Sequence, residues 1–270
     1  MPITRVNGVN IYYEVAGSGH GVIFVHAHNV DCRLWDKQVE AVSRSYTMVR
    51  YDFRGHGRSE APPTGYHIPF YAQDLRALIQ HLGLRKPSIV GLSMGGNVAL
   101  EYALTWPNEI STLTMADSGL LGFEETQMQE TMAKRQALVR DRGIDTTFVR
   151  AALMSNGFKG VVRDPANKAL IKDMLEKWSG MSYRDKATYP PPETTQAERV
   201  KGLNVPLLVM VGEHDTGRFQ RIADYLAANV RVVRKVVVPG AYHFAPLETP
   251  DVFNDILLDF LGGAVGKALI

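Results

Sequence analysis

Ser93, His243 and Asp215 are the residues whose types and surroundings point most directly to chemistry. Ser93 is the centre of Gly91-Leu92-Ser93-Met94-Gly95, a G-x-S-x-G pattern. A serine hydroxyl is a weak nucleophile and needs an adjacent general base. Of the eight histidines, His243 is the best placed, because it follows the apolar run Val232 to Val238 and the turn Pro239-Gly240. An imidazole in that role is held in its working tautomer by a carboxylate. Asp215 qualifies: it closes Val209-Met210-Val211-Gly212-Glu213-His214-Asp215, again just past an apolar run. Such a set suits acyl transfer, in which the serine attacks a carbonyl carbon and water releases the acyl group. Asp117, after Ile110 to Met115, and Glu213 are rival acids. Asp215 is preferred because its loop directly follows the strand before the histidine strand. His214 reads as a loop histidine.

These groups need elements that bring them together. Residues 3–15 alternate around Asn7-Gly8, which predicts two short strands and a tight turn. Val22 to Val25, Tyr46 to Tyr51, Ser88 to Val90, Ile110 to Met115, Pro206 to Val211 and Val232 to Val238 read as further strands. Helices are predicted over 69–82, where Phe70, Leu75, Leu78, Ile79 and Leu82 share a face before Gly83. Others are predicted over 95–105, 217–228 and 250–261. Strands alternating with helices imply an α/β fold: a doubly wound, mostly parallel sheet with its site outside the carboxyl ends of the strands. Ser93, Asp215 and His243 all fall at predicted strand ends, in the chain order Ser, Asp, His that such a triad takes on this sheet. A side chain at 91 or 95 would collide with the adjoining strand or helix, which explains the glycines. The helix that follows adds a positive dipole end beside the nucleophile.

Residues 119–200 break the rhythm. They read as mainly helical, with 126–142 the clearest piece, and end in Tyr189-Pro190-Pro191-Pro192. The expected organisation is a core of 1–118 and 201–270 with a helical cap insertion over 119–200. Substrate choice is expected to reside there. Met128, Met132, Met154, Met174 and Met181 are candidate pocket residues, since methionine adapts to varied apolar shapes. Trp178 and Tyr183 are candidates for the entrance. Arg135, Arg140, Arg142, Arg150, Arg163 and Arg184 are candidates to bind a substrate carboxylate.

Bulk composition narrows the remaining classes. The chain has 270 residues, 45% hydrophobic, with 30 Lys and Arg against 28 Asp and Glu for a net charge of +2. No basic run is present, so no nucleic-acid partner is expected. No apolar run reaches the roughly 18–20 residues of a membrane helix, and residues 1–20 carry no secretory h-region. The single cysteine, Cys32, suits a reducing compartment, so a cytoplasmic location is expected.

Several motifs extend the pattern: Val25-His26-Ala27-His28, Trp35, Asp52-Phe53-Arg54-Gly55-His56-Gly57-Arg58-Ser59, Gly91-Leu92-Ser93-Met94-Gly95-Gly96, Gly212-Glu213-His214-Asp215 and Gly240-Ala241-Tyr242-His243. They resemble the α/β-hydrolase superfamily over nearly the whole chain except 119–200. Within it they are most similar to small esterases, 3-oxoadipate enol-lactonases and cofactor-free haloperoxidase-like esterases. The resemblance implies an oxyanion hole of two backbone N–H groups, from Met94 and from His28, with Asn29 as the alternative second donor. Each such donor is worth about 3–4 kcal/mol of barrier. It also implies ester or lactone hydrolysis of a small molecule with no cofactor or metal. The family usually has His-Gly where this chain has His26-Ala27; a glycine-type backbone at Ala27 would cost about 1 kcal/mol. Asp52, Arg54 and His56 read as a loop-shaping polar set. Two other classes fit parts of the pattern: a metal-dependent hydrolase using His26 and His28 with Asp31, and a non-catalytic small-molecule binder on the same fold.

Overall fold

The computed structural model describes residues 2–124, 126–190 and 192–268, without the side chains of 126–129, 131 and 265–268; Met128 as a pocket residue and Pro191 as part of the breaker lie outside what is described. The first elements are β1 (Ile3–Val6), β2 (Val9–Ala16), β3 (Gly21–Val25), α1 (Asp36–Ser43), β4 (Thr47–Tyr51), α2 (Ile68–His81), β5 (Ser88–Leu92), α3 (Met94–Thr105) and β6 (Leu113–Ala116). A helical stretch follows: α4 (Thr126–Arg142), α5 (Thr146–Leu153), α6 (Pro165–Lys177), α7 (Met181–Arg184) and α8 (Gln196–Arg199). The chain then returns through β7 (Leu207–Gly212), α9 (Gly217–Asn229), β8 (Val233–Val238), α10 (Ala245–Glu248) and α11 (Pro250–Ala268).

All five residues of β3 are buried. Successive side chains of a strand leave on opposite faces, so Ile23 and Val25 join one apolar cluster while Val22 and Phe24 join another. The same split sends Val49, Tyr51 and Ile89 one way and Met48, Val90 and Leu92 the other. Burial on both faces requires helices on both sides. Tyr71, Leu75 and Leu78 of α2, Val98 of α3 and Ile222 of α9 cover the first face. Val42 of α1 and Phe253 and Leu257 of α11 cover the second.

The eight strands are ordered β1-β2-β4-β3-β5-β6-β7-β8. β1 and β2 pair antiparallel, closed by Asn7 and Gly8 at φ 47° and 77°, the two positive angles a tight hairpin turn needs. β2 also runs antiparallel to β4, and every pairing from β4 to β8 is parallel. The chain moves from β3 outward to β4 and then back across to β5, so the winding reverses between β3 and β5. Crevices for ligands open at such a reversal.

The boundaries differ from the sequence reading in small ways. β6 starts at Leu113 rather than Ile110, because Pro107–Glu109 forms a short 3-10 turn after α3. α11 continues past 261 through Gly262 and Gly263. Among the described residues, 119–200 form no separate apolar cluster. Phe148, Val161, Ile171, Leu175, Trp178 and Tyr183 belong to the same cluster as Val22, Phe24 and Val90. Among the described residues no helix is long and apolar enough to cross a membrane.

The loop after β4 is held by ionic and backbone bonds, as expected of its polar set. Asp52 accepts the N–H groups of Cys32 and Arg58 at 2.8 Å each, and His56 Nδ1 lies 3.0 Å from the Arg54 carbonyl. Arg54 donates Nε and Nη2 to the two oxygens of Asp74 on α2, both at 2.6 Å, with both side chains almost fully buried. Removing one member of a buried pair strands the other charge. Asp74→Ala is expected to lower the urea-unfolding free energy by about 3–5 kcal/mol. A loss below about 1 kcal/mol, the surface-pair range, would contradict a buried pair.

Candidate active site

β5 runs straight into α3, and Ser93 occupies the single residue between them at φ 54°, ψ −116°. A non-glycine residue there is strained by about 1–3 kcal/mol, and the surroundings must impose it. They do so by close approach. A Cβ on Gly91 would lie 2.3 Å from the Gly95 carbonyl oxygen, and one on Gly95 would lie 2.1 Å from that of Val25. The Ser93 N–H donates to Ala116 O of β6 at 3.0 Å, and its carbonyl accepts the Gly96 N–H at 3.0 Å. Met94 opens α3, so its N–H has no acceptor one turn back and points out of the helix end.

The loop after β3 resolves the expectation about Ala27. The positive-φ residue of that loop is Asn29, at 67°, and Ala27 is not in that region. Asparagine tolerates the left-handed conformation better than other non-glycine residues, so Ala27 carries no glycine-type cost. His26 Nδ1 donates to the Ala27 carbonyl at 2.7 Å and Nε2 accepts the Phe53 N–H at 3.0 Å. With both nitrogens engaged, His26 presents no metal-ligand atom. His28 Nε2 lies 2.9 Å from Ser182 Oγ, and Asp31 is committed to Arg33, 2.6 Å away. His26, His28 and Asp31 therefore do not converge as a ligand set.

Asp215 follows β7 and His243 follows β8, and the structure joins them. His243 Nδ1–H donates to Asp215 Oδ2 at 2.8 Å, with side-chain exposures of 8% and 2%. Asp215 Oδ1 accepts the Thr216 N–H at 2.6 Å. With Nδ1 committed, Nε2 is the histidine nitrogen left to take a proton. The ring lies against Phe219, 4.6 Å between centroids. Glu213 and His214 are exposed, and Glu213 takes the Gly240 N–H at 2.9 Å.

One residue of this cluster stands outside the sequence reading, and another takes a different place in it. Glu248 of α10 accepts the N–H groups of Tyr242 and Phe244, at 2.5 and 3.3 Å, and so fixes the backbone on both sides of His243. Burial pushes its carboxyl above the ordinary glutamate value. An acid in a short helix after a proline is too common a pattern to mark it in the sequence. Asp117, read as a rival to Asp215, instead lies beside it: the ligand atoms of Asp117, Asp215 and His243 are all within 4.8 Å of one another.

The helical stretch reaches the same region. Phe158 stacks on Phe244 with centroids 4.9 Å apart, and the Trp178 and Tyr183 rings each lie edge-on to His28 at 5.1 Å. Trp178 and Tyr183 are 3% and 1% exposed, so they form a wall rather than an entrance. Arg135 is half-buried and lies near enough to His28 and Tyr183 to act on both electrostatically. Arg140, Arg142, Arg163 and Arg184 are exposed. Arg150 and Met154 line a separate groove of about 610 Å³ between α5 and α6. Met174 is buried in the core and Met132 packs against it.

The sequence model of the Alpha/beta hydrolase family matches residues 22–256. A non-heme haloperoxidase of Rhodococcus erythropolis is 28% identical, covering 97% of this chain and 99% of its own. The crystal structure of an enol-lactonase from Burkholderia xenovorans superposes with a TM-score of 0.81 at 25% identity, covering 96% of this chain and 99% of that one. A thermophilic esterase from Thermogutta terrifontis reaches a TM-score of 0.86 at 22% identity, covering 98% and 99%, a likeness of fold.

The buried histidines make stability pH-dependent. Burial holds His26 down at about 4 and, with His26 beside it, His56 at about 3. Both are neutral when folded and protonate near 6.5 when unfolded. The stabilisation from their burial is thus fully present above about pH 6.5 and lost as pH falls toward 4 and 3. Urea midpoints should drop between pH 7 and pH 5, and less steeply in His56→Gln. An identical drop in parent and variant would refute the assignment for His56.

Proposed function

The chain belongs to the Alpha/beta hydrolase family, and from that premise we propose that it is a serine hydrolase cleaving small carboxylic esters or lactones through an acyl-enzyme. The observation that carries this reading is the 2.8 Å bond from His243 Nδ1 to Asp215, at the ends of the two strands beyond the strained Ser93 turn. Ser93 Oγ bonds to the substrate carbonyl carbon as His243 Nε2 takes its proton. The carbonyl oxygen becomes an oxyanion held by the Met94 N–H and the His28 N–H. The carbon–oxygen bond to the leaving alcohol then breaks, and His243 returns the proton to that alcohol. Water repeats the attack with the same base and frees Ser93. In a lactone the alcohol stays tethered to the acyl group. Each proton and bond in this sequence is supplied by these side chains, the substrate and water.

We read residues 119–200 as a cap on a core of 1–118 and 201–270. Supporting this are the contacts of Phe158 with Phe244 and of Trp178 and Tyr183 with His28. Arg135 is the cap arginine turned toward that wall, so it is the one assigned to a substrate carboxylate. The haloperoxidase and enol-lactonase likenesses support a small-molecule substrate. A cytoplasmic setting fits Cys32, a buried thiol that forms no disulfide.

Ser93→Ala is expected to lower kcat for p-nitrophenyl esters by at least about 10³-fold with the unfolding midpoint retained. Turnover at the parent rate would end the serine reading. Arg135→Ala should raise KM about tenfold for esters carrying a distal carboxylate and leave neutral esters unaffected. Equal effects on both substrate types would remove Arg135 from substrate binding.

A further inference from the structure

Asp117 directly follows β6, the strand between those that lead to Ser93 and Asp215. It holds a positive φ of 43°, is 1% exposed, and accepts the Gly212 N–H on Oδ1 at 2.7 Å. No donor reaches its Oδ2. Met115, Val209, Phe219 and Ile222 line the space beside it, so the surroundings are apolar. Its carboxylate and that of Asp215 lie within 4.8 Å of each other. Two carboxylates this close in a buried site make double ionisation costly, which favours a proton held on one of them. The donors decide which. Asp215 accepts from both the Thr216 N–H and His243, whereas Asp117 accepts from Gly212 alone. Hydrogen bonds favour the charged form, so the charge belongs to Asp215 and the proton to Asp117.

We propose that Asp117 is a positioning residue for the histidine base: as a neutral acid it donates its Oδ2 hydrogen to Asp215, which in turn holds His243 Nδ1–H. This rests on the triad reading above. The titratable groups facing Asp117 are Asp215 after β7, His243 after β8 and Glu248 in α10; α9 presents Phe219 and Ile222. Burial, then Asp215, then Glu248 all push the Asp117 carboxyl well above the usual aspartate value. The donated hydrogen spreads the charge of Asp215 and moderates its pull on the imidazole. The trio also has the ligand types of a cation site, but the His243 nitrogen and an Asp215 oxygen that would serve are bonded to each other.

The test compares the parent with Asp117→Ala and Asp117→Asn as full chains. Three readouts apply: the downfield ¹H resonance of the imidazole Nδ1 proton, the ¹³C resonance of the Asp117 carboxyl, and kcat/KM against pH on p-nitrophenyl acetate. In the parent at pH 7 the Asp117 carboxyl should resonate as the protonated acid, a reading that needs no variant to fold. Asp117→Ala strips the donor from Asp215. Its Nδ1 proton should move further downfield, the acid limb should shift up by about half a pH unit, and kcat should fall about tenfold with KM unchanged. Asp117→Asn can donate its amide to Asp215 while accepting from Gly212, so it should recover the parent's acid limb. An ionised Asp117 resonance at pH 7, an acid limb that moves down in both variants, or no change in either would each overturn the proposal. The resonances report on Asp117 even if no ester is turned over. Absence of Ser93-dependent turnover with the expected spectra sinks the hydrolase reading alone.

Discussion

β3, β5, β6 and β7 are buried on both faces. A polar side chain in the middle of such a strand would lose its water on either side, so chemistry can begin only where the strand stops. The parallel registers bring those stops level: Val25 pairs with Gly91, Leu92 with Ala116, Ala116 with Met210, and Gly212 with Val238. The polar groups therefore gather on one rim. Asn29, Ser93, Asp117, Asp215 and His243 all lie just past a strand end, and the helices on the two faces only hold that rim in place.

The rim is also where the backbone is strained. Asn29, Ser93 and Asp117 each follow a different strand of the parallel set, and each has a positive φ. Left-handed backbone in a residue with a Cβ persists only when neighbours over-determine it. Here the neighbours are carbonyls and N–H groups of adjacent strands: Ala116 O holds the Ser93 N–H and Met210 O holds that of Asp117. The sheet thus supplies the force that bends its own strand ends toward the crevice.

The electrostatics follow from the same burial. His26 and His56 are buried and His28 is half-buried, and burial pushes all three below the ordinary histidine value. They behave as neutral, rigid spacers, with His26 pinning the loop after β3 to Phe53. His243 is set apart by its carboxylate partner. Two carboxylates on adjacent strand ends would repel, and a proton kept on Asp117 turns that repulsion into a hydrogen bond.

The strands and most helices were legible in the sequence because period-two and helical patterns are local. The Ser93 turn was legible because two glycines flank the serine, and the order of Ser93, Asp215 and His243 because each follows an apolar run. Which residues meet was not local. Asp117 looked like a competitor of Asp215, since linear order cannot say that β6 lies between β5 and β7 and brings both carboxylates to one histidine. The departure from His-Gly at Ala27 raised the question of a glycine-type backbone there, and the folded loop places its positive φ at Asn29 instead. Trp178 and Tyr183 read in the sequence as candidates for an entrance, but the shared apolar cluster draws them into a wall on His28, and Glu248 carries no sequence mark at all because only the fold of α10 brings it onto the His243 loop. Sequence by itself determined the sheet and the candidate residues at its strand ends, because those depend on neighbours a few residues away; convergence, strain and protonation were decided by tertiary structure, because they depend on strand order and on burial by segments more than a hundred residues apart.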